Sequence, residues 1–245
     1  MSVVFDLREV SFAYPYANTV LDQVTFQISA GESVAILGAN GCGKSTLLKL
    51  LVGLVVCDSG RVLAFGDELN AKSLHDDIFS YNYHQKIGFI FQDSDVQLFC
   101  DSVREELAFG LLQLNLAKAE ILQRIEDITK LLSIENLLDK VPFKLSGGEK
   151  KKVAIAAVLL LNPEVIILDE PTNSLDPKTT QWIISLLQQL HLAGKTLIIT
   201  THNLDLVGKL SERGILFNED HRIVADKTIN ELLADEQMLR DVNLV

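Results

Sequence analysis

The chain has 245 residues, 48% of them hydrophobic, and a formal net charge of −11. That length supplies one α/β domain with an insertion or two small domains, with enough apolar side chains for a sizeable core. The acidic balance argues against a nucleic-acid partner, and the longest apolar run, residues 153–161, is about half of what a bilayer span needs.

The first residues include an early Asp6 and no basic, apolar leader, so no signal peptide is expected. Three unevenly spaced cysteines, Cys42, Cys57 and Cys100, fit neither a disulfide nor a zinc pattern, which points to a reducing cytosol.

Along the chain, residues 3–30 alternate short β-like runs with turn residues, as at 3–7 and 24–28. Ser33–Leu37 reads as a buried strand, and residues 46–54 as the start of a helix. Residues 58–62 form a turn into a further strand that ends near Gly66. Residues 67–86 are polar and read as irregular, and residues 87–91 are a buried strand. The period then changes: Leu116, Ile121, Leu122, Ile125, Ile128, Leu131 and Leu132 recur at helical spacing, so 102–137 is expected to be helical, with another helix after Ser146. Residues 165–168 and Thr196–Thr200 are continuous apolar strands of the kind buried on both faces of a parallel sheet. Between them Trp182, Ile183, Leu186, Leu187 and Leu190 mark a crossover helix. This rhythm predicts an α/β core with a mostly helical insertion at about 93–162.

Gly38-Ala39-Asn40-Gly41-Cys42-Gly43-Lys44-Ser45 is a complete phosphate-binding loop pattern. Lying between a strand end and a helix start, it aims backbone N–H groups and the positive end of a helix dipole at one point. Gly41 and Gly43 let the backbone wrap closely around an anion. Lys44 is placed to reach β- and γ-phosphates, and Ser45 to hold Mg²⁺. Cys42, beside a helix N-terminus, is open to a lowered thiol pKa, against the plainer reading of a tolerated small side chain.

Five features follow in order: Gln92 after the strand 87–91; Leu145-Ser146-Gly147-Gly148-Glu149 before a helix; Val165-Ile166-Ile167-Leu168-Asp169-Glu170; Ser174-Leu175-Asp176; and His202 after an apolar strand. Together with the phosphate loop they resemble the ATP-binding subunit of the ABC transporter family over essentially the whole chain. The resemblance implies a P-loop NTPase (RecA-like) α/β core with an N-terminal antiparallel β subdomain and a helical insertion carrying the Leu-Ser-Gly-Gly motif. The expected division is core at 1–92 and 163–245 and helical subdomain at 93–162.

It also implies the ligands and roles. ATP and Mg²⁺ are the cofactors. Gly38, Asn40, Gly41, Cys42, Gly43, Lys44, Ser45 and Thr46 line the nucleotide, with Tyr14 stacked on adenine unless it packs into the core instead. Ser45, Gln92 and Asp169 face the metal. Glu170 polarises the attacking water, His202 links it to the γ-phosphate, and Gln92 senses metal and water. Ser146, Gly147, Gly148 and Asp176 serve a nucleotide held by a second ATPase subunit, homo- or heteromeric.

Phe91-Gln92-Asp93-Ser94-Asp95-Val96-Gln97-Leu98-Phe99 is similar to the Phe-Gln-x-Pro-Asp-x-Gln-Leu-Phe run of energy-coupling-factor (cobalt/nickel and vitamin) importer ATPases. Residues 145–156 and 222–226 point the same way. Ser94 departs from the usual Pro, 67–86 is longer than usual, and the chain stops soon after Leu244, where many relatives extend further. The expected function is a transport ATPase, peripheral on the cytoplasmic face of the cell membrane and bound there only through transmembrane partner subunits. An apolar surface at Leu98, Phe99, Val103, Leu107 and Phe109 is expected to receive them, unless these residues are core. An ABC ATPase acting on nucleic acid is the competing class, disfavoured by the acidic charge. A non-hydrolysing regulatory subunit is disfavoured by the intact Lys44, Asp169, Glu170 and His202.

Overall fold

The computed structural model describes residues 2–114 and 116–245. The chain opens with β1 (Val3–Ala13) and β2 (Thr19–Ser29), a long antiparallel pair, then β3 (Ser33–Leu37) and α1 (Lys44–Leu51). β4 (Ser59–Ala64) and the two-residue β5 (Asp67–Glu68) complete a four-stranded antiparallel sheet ordered β2-β1-β4-β5. The strands at the start are thus longer than the 3–7 and 24–28 runs. The turn after Ala64 is made by Phe65 and Gly66, both at positive φ.

Residues 67–86 are not irregular. They fold into α2 (Ala71–His75) and α3 (Asp77–Lys86). Asn70 caps α2 in a reciprocal box with Ser73, and Asp76 accepts the Phe79 N–H at 2.8 Å to start α3. Tyr83, the buried residue of α3, stacks on Phe79 at 5.8 Å and donates its hydroxyl to the Leu51 carbonyl.

β6 (Ile87–Ile90) follows, one residue shorter than its apolar run. The expected helix over 102–137 is two, α4 (Val103–Leu112) and α5 (Lys118–Leu132), with a helical turn at Glu135–Leu137. Ser102 starts α4 by accepting the Glu105 N–H, and Ser133 ends α5 in the left-handed region. α6 (Gly147–Leu159) packs against both, with Val103, Leu107, Leu111, Ile121, Ile125 and Val153 in their common core.

β7 (Val165–Asp169), α7 (Pro177–Leu192), β8 (Thr196–Thr200), α8 (Leu204–Leu210), β9 (Arg213–Phe217), β10 (Ile223–Thr228), α9 (Ile229–Ala234) and α10 (Glu236–Asp241) complete the described chain. The second sheet runs β10-β9-β3-β8-β7-β6, parallel except for the β9–β10 edge pair. Its central strands β3, β8 and β7 are buried along their whole length, which is why they read as unbroken runs. The chain leaves β3 for the far edge at β6 and returns through β7 and β8 to β3's side. The carboxyl ends of β3, β6, β7 and β8 therefore share one rim, where open α/β sheets place their ligands. No helix among the described residues is long and apolar enough to cross a membrane.

Candidate functional site

The loop 38–43 leaves β3 and turns directly into α1. Two of its glycines are required by space. A Cβ on Gly43 (φ 110°) would lie 2.4 Å from the Val20 carbonyl oxygen, and one on Gly38 (φ 146°) 2.8 Å from that of Phe217. No side chain caps α1, and its first turn holds no acidic residue, so its N-terminus is left for an anion. Lys44 is buried there. Its ammonium donates to the carbonyls of Gly38 (2.7 Å) and Ala39 (3.0 Å) and pairs with no carboxylate among the described residues. A nearly buried cation held only by carbonyls calls for a negative ligand.

The opposite wall comes from β7 and β8, which pair in parallel with Asp169 beside Thr200. Asp169 Oδ1 accepts the Thr200 hydroxyl at 2.6 Å. That same hydroxyl oxygen accepts the Glu170 N–H at 3.1 Å, so one threonine holds both acidic positions. Glu170 sits at φ 42°, in the left-handed region that is unfavourable for a side chain with a Cβ. The sharp turn lets two successive acidic residues line one cleft although an extended strand would send them to opposite faces. Glu170 Oε1 meets His202 Nδ1 at 2.9 Å, and the imidazole itself is exposed. Both carboxylates are buried; Asp169 is hydrogen-bonded to the Thr200 hydroxyl and Glu170 to the His202 imidazole, and neither makes an ion pair with a lysine or arginine among the described residues. Such a pair suits a cation. No group of three His, Cys, Asp or Glu placed to hold a metal ion occurs among the described residues.

Asn40, Gly41, Gly43, Lys44, Ser45, Thr46, Gln92, Asp169, Glu170 and His202 thus enclose one cleft of about 380 Å³. Val20 and Asn173 complete its lining, and neither stands out in the sequence. Thr200 was equally hidden: a threonine at a strand end carries no motif, and its partner across the sheet appears only with the β7–β8 register. We expect Thr200→Val to cost about 1–3 kcal/mol, because it strips the hydroxyl donor from the buried Asp169, while the Glu170 N–H keeps the Thr200 backbone carbonyl. Urea unfolding measures this, and a variant as stable as the parent would mean that the hydroxyl contributes nothing there.

The other expected site residues lie outside this cleft. Gly38 is tucked beneath the loop against Phe217 and the Cys42 sulfur. Cys42 is buried, and burial raises its thiol pKa despite the nearby Lys44, which favours the plainer reading of a small side chain in the loop. Tyr14 is half-buried. Its ring meets Phe12 edge-on at 4.9 Å and its hydroxyl lies 3.4 Å from Thr46 Oγ1, so it packs beside the start of α1.

Ser146 is the N-cap of α6, in a reciprocal box with Glu149, and it is exposed together with Gly147. Glu149 is held below the usual carboxylate range by its bonds to the Ser146 N–H and hydroxyl. Gly147 borders a neighbouring hollow with Asp93 and Ser174, and Gly148 abuts Thr179. Asp176 caps α7, taking the Thr179 N–H at 3.0 Å and its hydroxyl at 2.6 Å, and these bonds lower its pKa. None of Ser146, Gly147, Gly148 and Asp176 lines the chain's own phosphate-loop cleft.

A family model described as ABC transporter matches residues 21–173. The nickel import ATP-binding protein LarO of Lactiplantibacillus plantarum is 43% identical, over 98% of this chain and 99% of its own length. CbiO1 of Clostridium perfringens, part of the CbiONQ ABC transporter complex, superposes with a TM-score of 0.84 at 35% identity, covering 100% of this chain and 96% of that one. The ATP-binding cassette MJ0796, solved as a dimer in a post-hydrolysis state with ADP and phosphate, superposes with a TM-score of 0.83 at 29% identity, over 92% and 98% of the two chains. With the match spanning the phosphate loop, Gln92 and the paired carboxylates, the chain belongs to the ABC transporter family of ATP-binding proteins, ATPases coupled to transport.

Proposed function

We propose that the chain is the ATP-hydrolysing subunit of an energy-coupling-factor type importer, for a metal ion such as nickel or cobalt or for a vitamin. The observation that carries this reading is the single cleft in which an unpaired Lys44 faces two buried carboxylates and His202. The likeness to the nickel import protein LarO favours a metal-ion cargo.

In this reading Lys44 and the N–H groups of residues 41–46 bind the β- and γ-phosphates, and Tyr14 borders the adenine. Ser45, Asp169 and Gln92 would hold Mg²⁺, which would supply positive charge to offset that of the phosphates. Glu170 takes a proton from the attacking water, and His202, hydrogen-bonded to Glu170, orients it toward the γ-phosphate. Ser146, Gly147 and Asp176, all exposed, with Gly148 beside them, complete the site of a second ATPase subunit, so the working form is a dimer. Residues 93–162 act as a helical unit against a core of 1–92 and 163–245.

The membrane subunits dock beside Phe99 and Phe109, exposed aromatics packed edge-on at 4.9 Å, with Leu98 half-buried nearby. Val103 and Leu107, expected on the same surface, are fully in the core of α4, because α4 turns that face onto α5 and α6. The chain thereby sits peripherally on the cytoplasmic face of the membrane and has no nucleic-acid partner.

The test is a pull-down of tagged Glu170→Gln protein with Mg-ATP from native membranes. A multi-span membrane protein with a small substrate-binding membrane partner is expected, and the Phe99→Asp variant should lose both. Capture of soluble proteins or nucleic acid alone would overturn the importer reading and leave the ATPase standing.

A further inference from the structure

Gln92 lines the cleft from a loop with little regular structure, and two lysines of α6 reach across to hold that loop. Lys151, a buried residue, donates to the carbonyls of Phe91 (2.7 Å) and Gln92 (2.8 Å). Lys150 pairs with Asp95 at 2.5 Å. Within the loop, Asp93 caps the helical turn Ser94–Val96 through the Asp95 N–H (2.8 Å), and Gln97 Oε1 accepts the Phe91 N–H (3.3 Å). A lysine buried this deeply with no carboxylate bonded to it is costly, so its placement needs a reason.

The loop suggests one. Position 94 is a serine where the energy-coupling run carries proline, so the backbone lacks that built-in stiffness. The conformation would still accept the ring. Asp93 is extended at ψ 114°, as a residue before proline must be, and Ser94 is the first residue of its helical turn.

We propose that Lys151, assisted by Lys150, is a positioning residue for Gln92. The two lysines fasten the Gln92 loop to the first turns of α6, so the side chain's place in the cleft follows the N-terminus of that helix. The same helix begins at Ser146-Gly147-Gly148, so engagement of that motif is transmitted through a single turn of helix to Gln92. This rests on the reading of Gln92 as a metal-facing residue.

The test compares Lys151→Met, Lys150→Met, Gln92→Ala and the double variant Lys151→Met with Ser94→Pro. In the nucleotide-free protein, amide hydrogen exchange over residues 92–98 should quicken by about tenfold in Lys151→Met, the scale of losing a charged hydrogen bond. The Mg²⁺ concentration for half-maximal ATPase should rise by a similar factor, about tenfold, while ATP affinity without Mg²⁺ stays unchanged. Ser94→Pro should reverse most of both effects, which a merely structural role for Lys151 would not allow. Lys150→Met, on a pair whose Asp95 carboxylate is exposed, should move both readouts the same way by about threefold, and it carries the test if Lys151→Met does not fold. Unchanged exchange, or a fall in kcat with unaltered Mg²⁺ demand, overturns the proposal. If Gln92→Ala raises the Mg²⁺ demand and the lysine variants do not, only the clasp fails. If Gln92→Ala leaves it unchanged, the metal role of Gln92 fails as well.

Discussion

Glu170→Gln is expected to lose ATP turnover by about two to four orders of magnitude, the usual contribution of a positioned general base. The substitution is nearly isosteric. Gln retains an oxygen to meet His202 Nδ1 and a backbone of the same chemistry to occupy φ 42° and donate to Thr200. What disappears is the proton acceptor and one negative charge. Nucleotide binding should survive, because Lys44 and the α1 N-terminus lie on the opposite wall. It should even tighten, since Asp169 and Glu170 place two carboxylates where a triphosphate must sit, and removing one lowers the repulsion. A protein that binds ATP without consuming it should accumulate as the closed dimer. Light scattering with Mg-ATP against Mg-ADP reads that out, beside a steady-state ATPase assay. Hydrolysis at the parent rate would remove Glu170 from the role of base.

The parts of this site that could be read from the sequence share a physical cause. A buried parallel strand must be apolar throughout, so the polar residue at or just beyond its end stands out, as Asp169 and His202 do. A loop that bends around an anion must spend glycines, so residues 38–45 are conspicuous. The parts that could not be read depend on what lies across a gap in sequence. Thr200 matters through the β7–β8 register, and Lys151 through two carbonyls some sixty positions upstream. α3 escaped notice because Tyr83 alone of its ten residues is buried, which leaves no periodic stripe, while its start signal lies in Asp76. Val103 and Leu107 illustrate the converse. Their apolar character was plain, but whether it served a partner or the core depended on how α4 turns against α5 and α6. At Cys42 a helix N-terminus and burial push a thiol in opposite directions, and the packing decides between them.

Lys44→Ala is expected to weaken ATP binding by about two orders of magnitude, the equivalent of one or two charge-assisted hydrogen bonds to phosphate. In the free protein the ammonium is bonded to the Gly38 and Ala39 carbonyls, so the loop keeps its phosphate-binding shape partly through Lys44 itself. Its removal therefore acts twice, on the charge that meets the ligand and on the preorganisation of the N–H groups around it. The fold should tolerate the change. Gly38 and Gly43 remain held by packing against Phe217 and Val20, and the desolvation of a buried lysine offsets much of what its two bonds contribute. Two measurements separate these effects. Calorimetric titration with ATP should lose its signal at concentrations that saturate the parent. Thermal unfolding should give similar midpoints for both proteins without nucleotide, and a nucleotide-dependent rise for the parent alone, worth about 2.7 kcal/mol at a hundredfold excess over Kd. A variant that unfolds earlier without nucleotide but still gains the full shift with it would make Lys44 a structural strap for the loop and leave the phosphates to the backbone of α1.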